Sequence, residues 1–172
     1  TPFGLVLMLC LVAGWSAALM LRDLVALIVA VEIAWLAAVG LTALHAERDR
    51  ASLNGAFRML TLGGVSTVLM LVGAGLIGRA AGGYLLDTLP FVQIGLPHLV
   101  SVGVALVVLG LAVKAGAAPL HAWAAPALGR ATPTISLVAG VLGILGALSV
   151  LTRFAAYAIS APQIGAAVSA VL

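Results

Sequence analysis

Long apolar runs alternate with short polar stretches along the chain. Five runs approach or reach the roughly 20 apolar residues that a helix needs to cross a hydrocarbon core of about 30 Å. Leu, Val, Ala and Gly dominate them, and the small residues permit close helix contacts in lipid. The pattern predicts an all-α fold, a polytopic transmembrane bundle in one domain, with spans at about 3–21, 23–45, 55–78, 98–120 and 133–157.

Charged residues and prolines concentrate between these runs, as expected for connections. The connections cover residues 22–23, 45–50, 78–98 and 121–133. The third is long enough for an interfacial hairpin or a short helix. The apolar residues 158–172 are too few to cross a membrane, so we interpret them as the start of a truncated sixth helix.

Composition supports a membrane protein surrounded by lipid. The chain is 64% hydrophobic and 8% charged, with a mean hydropathy of +1.29, far from the averages of soluble domains. The first run lacks the basic start of a signal peptide, so we interpret it as a span. Cys10 is the one cysteine, which excludes an internal disulfide. The net charge of +3 is spread thinly and predicts no nucleic-acid partner.

The Lys/Arg distribution does not predict the orientation in the membrane. Alternating connections place three arginines on each side, which balances the positive-inside count. One side would carry Arg48, Arg50 and Arg130, and the other Arg22, Arg79 and Arg153.

Three ionisable residues lie inside the predicted spans and away from their outer ends: Glu32, Arg58 and Lys114. Glu32 is nine residues from Asp23, hence about 14 Å deep at a rise of 1.5 Å per residue. A charge at this depth costs roughly 2.5–3.5 kcal/mol on insertion scales, so such residues mark ion pathways or pair with another charge. Arg58 is a candidate charge partner of Glu32, although it also lies near enough to a helix end to reach the interface. Glu32 could equally form a structural pair with Arg58 or with another subunit.

Lys114 precedes a predicted helix break. Gly116 and Pro119 follow it, and Pro119 cannot donate a hydrogen bond to the carbonyl of Ala115. Backbone groups freed in lipid need water, side chains or other helices as partners, which suggests a hydrated cavity beside Lys114. A lysine there could switch between charged and neutral forms and pass protons. Alternatively, its side chain could extend to the interface.

Histidines and tryptophans give weaker signals. His121 follows the break and could relay protons or bond a freed carbonyl at the interface. His45 and His98 lie at predicted helix ends and are interpreted as interfacial. We expect Trp123 in an interfacial aromatic belt, and Trp15 and Trp35 as packing residues inside helices.

Catalytic and cofactor motifs are missing from the sequence. There is no GK[ST] phosphate loop, HExxH, CxxC or GxSxG, and no His pair at i and i+4. We therefore expect no cofactor, no metal site and no covalent chemistry in this chain.

The stretch "KAGAAPLHAW" (114–123) resembles the signature on the broken seventh helix of antiporter-like proton-translocating subunits, a lysine followed by proline-x-histidine-x-tryptophan. This family includes N/M/L-type subunits of complex I and subunits of membrane-bound hydrogenases and multisubunit cation/proton antiporters. Its N-type members carry a mid-membrane Glu followed about 25 positions later by a basic residue. Here Arg58 follows Glu32 by 26 positions. "ATPTIS" (131–136) is similar to the family's entry to helix eight.

The resemblance covers about residues 10–155 and implies that the five spans are family helices four to eight. It implies that Glu32 is the charge-pairing glutamate and that Lys114 is the proton-carrying lysine. It also implies that His121 is the histidine at the helix break. The implied function is translocation of protons, or of protons and Na⁺, within a multisubunit membrane complex, with redox chemistry in other subunits. We expect such a complex in the inner (cytoplasmic) membrane of a bacterium.

Departures from the family pattern leave other functions open. N-type members carry a second lysine about 30 positions after the first, but position 144 is Ile144, and no ionisable residue occurs between Arg130 and Arg153. The acid that usually follows Trp123 is also missing. These losses favour a structural or diverged subunit that does not pump. A third alternative is an antiporter-like partner in an inorganic-carbon uptake system.

Overall fold

The computed structural model describes residues 2–44, 50–87, 97–129 and 131–160. These residues form a bundle of helices connected by short turns. Four helices are long and apolar enough to cross a membrane, and a shorter apolar helix accompanies them. The main helices are α1 (Pro2–Met20), α2 (Leu24–Ala43), α3 (Arg50–Ala81), α4 (Pro97–Lys114) and α7 (Gly143–Ser160).

The predicted spans correspond to these helices, but three boundaries differ. The prediction began the third span at residue 55 because the polar residues before it resemble a connection, whereas α3 starts at Arg50 and continues to Ala81. The prediction extended the fourth span to residue 120, whereas α4 ends at Lys114. The last helix continues to Ser160. The predicted sixth helix therefore falls mostly on 161–172, outside the described residues.

The predicted break after Lys114 is confirmed. Gly116 has φ +67°, a conformation that glycine adopts without a steric penalty. The chain then forms a short 3₁₀ helix (Leu120–Trp123) and α5 (Ala124–Leu128). The predicted connection 121–133 thus contains two short helices, which return the chain across α3.

The final membrane helix has an irregular start. Pro133 begins α6 (Pro133–Ile135), in the first helical turn, where its missing N–H is tolerated. A π-helical segment (Ser136–Leu142) joins α6 to α7 without interruption. The Ser136 hydroxyl donates to the Leu128 carbonyl at 2.6 Å, which ties this start to the end of α5.

Polar contacts tie the helix ends together on one side of the bundle. Arg22 and Asp87 form an exposed ion pair at 2.9 Å. The Leu24 N–H donates to the Tyr84 carbonyl at 2.9 Å, beside a bridge between Asp23 and Leu85. The start of α2 is therefore joined to the segment after α3.

Candidate functional site

Three helices bring an acid, a hydroxyl and a lysine together in the bundle. The Lys114 Nζ lies 2.8 Å from Glu32 Oε2, and the Thr67 hydroxyl donates to the same oxygen. Lys114 is wholly buried, whereas 23% of the Glu32 side chain is exposed. The two charges, 82 positions apart in sequence, therefore form a direct ion pair within the apolar bundle.

The lysine has two further neighbours. The Gly63 carbonyl lies 3.5 Å from Lys114 Nζ, and the Trp35 ring centroid lies 4.6 Å from it. Trp35 lies three residues after Glu32 on α2, so the two side chains lie on the same face of that helix, towards Lys114. An aromatic face attracts an ammonium group, and together these contacts offer a partner to each of its three N–H donors.

Tryptophan pairs hold the broken helix against this site. The Trp35 and Trp123 rings meet edge to face, with centroids 4.8 Å apart and planes at 79°. The Trp123 Nε1 donates to the Val113 carbonyl at 2.8 Å, one residue before Lys114. Trp123 is 1% exposed, so its predicted place in an interfacial belt is wrong. The reason is that the chain folds back after Pro119 and carries this ring into the bundle.

A hydroxyl donor, a carbonyl acceptor and an aromatic ring surround the charged pair and stabilise it. Removing two charges from water is costly, and a buried pair survives only where good geometry and extra hydrogen bonds compensate. Thr67, Gly63 and Trp35 supply these contacts. Carboxyl and amine groups both exchange protons, so the arrangement can hold a proton on Lys114 and release it when the pair opens.

The structure brings Glu32 and Lys114 together but not Arg58. The Arg58 side chain is exposed, and it lies nine residues before Thr67, about 14 Å along the axis of α3 at 1.5 Å per residue. The described contacts therefore do not support Arg58 as the charge partner of Glu32. The sequence suggested this pair because both charges lie in predicted spans, but the helix crossing brings Lys114 to the carboxylate instead.

The other predicted residues have varied positions. His121 is exposed in the 3₁₀ helix and His98 is exposed near the start of α4, while His45 falls outside the described residues. Trp15 is buried, as expected. Among the described residues, no group of three or more His, Cys, Asp or Glu side chains could hold a metal ion.

Sequence reasoning missed Thr67 and Gly63 as parts of the site. Both lie on α3, four positions apart, and therefore on one face of that helix. A threonine and a glycine are common in membrane helices, so neither residue type signals a site. Their spacing would have been informative only if the helix face opposite Glu32 had been known.

Comparisons with known proteins identify the relatives of this chain. Residues 22–171 match the family described as NADH:quinone oxidoreductase/Mrp antiporter, TM. NADH-quinone oxidoreductase subunit N of Salinispora tropica is 32% identical over 83% of this chain and 28% of its own length. The subunit N of Myxococcus xanthus is 34% identical over 77% of this chain and 26% of its own length.

Solved structures give the same relationship. A chain of the archaeal membrane-bound sulfane sulfur reductase superposes with a TM-score of 0.84 at 28% identity, over 93% of this chain and 33% of that one. A chain of the Mrp complex from Dietzia superposes with a TM-score of 0.78 at 26% identity, over 87% of this chain and 28% of that one. This chain thus spans about a quarter to a third of the length of these relatives. The family match covers most of its residues, and the chain belongs to the NADH:quinone oxidoreductase/Mrp antiporter family of membrane proteins.

Proposed function

We propose that this chain translocates protons, or protons in exchange for Na⁺, as part of an antiporter-like subunit in a multisubunit membrane complex. The Glu32–Lys114 ion pair is the observation that carries the proposal. An ionisable pair at membrane depth is costly, and it is the kind of group on which proton relays depend. Lys114 carries the proton, and Glu32 holds the ammonium until a change elsewhere in the complex separates them.

Three further residues are assigned roles in this function. His121 accepts or supplies the proton on the exposed side of the break, since an imidazole ring can both bind and release a proton. Gly116 and Pro119 maintain the break that keeps α4 from continuing beyond Lys114.

The proposed partners of the chain are lipid and the neighbouring membrane subunits, in the inner membrane of a bacterium.

The test is proton flux in proteoliposomes that contain the full-length protein within its complex. We expect Glu32→Gln and Lys114→Met each to reduce flux at least about tenfold, since each removes one member of the relay. Asp87→Asn is the matched control because it also breaks an ion pair, but an exposed one. We expect the control to retain normal flux. Repeating the assay with and without a Na⁺ gradient distinguishes proton transport from cation exchange.

A structural, non-pumping role is the second candidate. Ile144 occupies the position of the family's second lysine, and it lines an apolar groove of about 340 Å³ with Leu128, Gly140 and Leu145. If flux survives both substitutions at the ion pair, the transport proposal is wrong. If the complex fails to assemble with either variant, the structural role is favoured. The subunits that co-purify with the chain would distinguish a respiratory complex from an inorganic-carbon uptake system.

A further inference from the structure

Thr67 and Lys114 share the same two acceptors. Lys114 Nζ lies 2.8 Å from Glu32 Oε2 and 3.5 Å from the Gly63 carbonyl. The Thr67 hydroxyl lies within hydrogen-bond distance of that carboxylate oxygen and 3.0 Å from that carbonyl. An ammonium on one helix and a hydroxyl on another therefore compete for one carboxylate and one carbonyl.

The number of protons limits how these acceptors are used. A protonated lysine carries three N–H donors, whereas a threonine hydroxyl carries one O–H donor. The ammonium can serve both acceptors at once. The hydroxyl must direct its proton either to Glu32 or to the Gly63 carbonyl of its own helix, the usual partner of a helical threonine four residues on.

We propose that Thr67 is a positioning residue whose hydroxyl remains as the donor to Glu32 when the ion pair opens and Lys114 leaves. With the pair closed, Lys114 and Thr67 both contact the Glu32 carboxylate, and the Thr67 proton is shared between that carboxylate and the Gly63 carbonyl. When Lys114 moves away, the hydroxyl turns fully to Glu32. Only the hydroxyl torsion changes, and Thr67 neither gives up nor gains a proton.

The Thr67 hydroxyl matters in the state in which the Glu32–Lys114 pair is separated. This inference rests on the proposed transport function. A partly buried carboxylate such as that of Glu32 is disfavoured when it loses its ammonium partner and has no other donor. The most direct relief would be recapture of the Lys114 proton by Glu32, which would return the proton to the pair. A waiting hydroxyl donor stabilises the carboxylate, so that Lys114 can deliver its proton onwards.

The experiment compares Thr67→Val with Thr67→Ser in the full-length protein and its complex. Valine keeps the shape of threonine and removes the hydroxyl, whereas serine keeps the hydroxyl. Thr61→Val is the matched control because Thr61 lies on the same helix and bonds only backbone carbonyls, those of Phe57 and Arg58. Proton flux and the infrared carboxylate stretch of Glu32, identified as the band lost in Glu32→Gln, are both measured.

We expect Thr67→Val to slow flux by about 10- to 100-fold, the range set by one hydrogen bond to a charged group. The Glu32 band should shift in this variant. Thr67→Ser should keep both flux and band near those of the unmodified protein, and Thr61→Val should change neither.

Three outcomes overturn the inference: an unshifted Glu32 band in Thr67→Val, normal flux in that variant, or a Thr67→Ser variant as slow as Thr67→Val. Failure of the proposed function is seen separately, as normal flux in Glu32→Gln. In that case the infrared band alone decides whether Thr67 serves Glu32. An unshifted band would overturn the contact, and a shifted band that serine prevents would support it.

Discussion

The Trp35 indole lies directly against the backbone of α3 at Gly63. Its Nε1 donates to the Met59 carbonyl at 3.2 Å, and a Cβ added at Gly63 would lie 1.9 Å from that nitrogen. Glycine is therefore required here by space, not by backbone conformation. The same glycine presents its carbonyl to Lys114 and Thr67, so a single position sets the distance between α2 and α3 at the ion pair.

We predict that Gly63→Ala lowers the free energy of unfolding by about 1–3 kcal/mol, the usual cost of overpacking a tight contact. Gly64→Ala is the control, because a Cβ there meets nothing within 4 Å. That variant should be neutral or stabilised by up to about 1 kcal/mol through helix propensity. Thermal unfolding of the detergent-purified proteins checks both values, and equal midpoints would contradict the assigned contact.

A tryptophan side chain connects the two sides of the broken helix. α4 ends at Lys114, and the carbonyl of Val113 accepts from both the Gly116 N–H at 3.1 Å and Trp123 Nε1 at 2.8 Å. The indole thus joins the two sides of the break. Since Trp123 also packs on Trp35, it connects the broken segment to the helix that carries Glu32.

We predict that Trp123→Phe lowers the free energy of unfolding by about 1 kcal/mol more than Trp15→Phe does. This difference is the typical net contribution of one hydrogen bond. Both tryptophans are buried, so both variants lose similar ring volume. Trp15 Nε1, however, has no hydrogen-bond partner among the described residues. The difference between their unfolding midpoints, measured in the same detergent, reports on the bond to Val113 together with the ring contact to Trp35. A larger loss in Trp15→Phe would show that ring packing dominates instead.

Arg153 closes the bundle between its first and last described helices. From α7, its guanidinium donates to the carbonyls of Ala18, Leu19 and Leu21 at 2.9, 2.6 and 2.6 Å. These are among the carbonyls at the end of α1 that lack partners within the helix. The positive charge also complements the negative end of the α1 dipole. The sequence placed Arg153 only on one side of the membrane, and its contacts lie about 135 positions away in the chain.

We predict that Arg153→Met lowers the free energy of unfolding by about 1–3 kcal/mol, since it removes charged hydrogen bonds from carbonyls that are partly buried. Methionine keeps most of the apolar stem. Arg79→Met is the matched control because Arg79, in the last turn of α3, is exposed and forms no ion pair or hydrogen bond within the described ranges. Chemical or thermal unfolding in detergent should separate the two variants, and equal stability would exclude the capping role.

Local chemistry was enough to predict the membrane class, the approximate spans and the break. Apolar run length reports on the bilayer, and the effect of a Gly and a Pro on a helix depends only on neighbouring residues. Glu32 and Lys114 were also found from sequence, because a charge inside an apolar run stands out without knowledge of its partner.

The partners themselves depended on tertiary structure. Glu32 contacts Lys114 and Thr67, not Arg58, because the crossing of three helices determines which side chains meet, and residue spacing along the chain does not specify that crossing. The burial of Trp123 and the reach of Arg153 to α1 have the same cause. Sequence alone therefore identified the residues whose presence in lipid is costly, and the packing of the helices decided which neighbours compensate that cost.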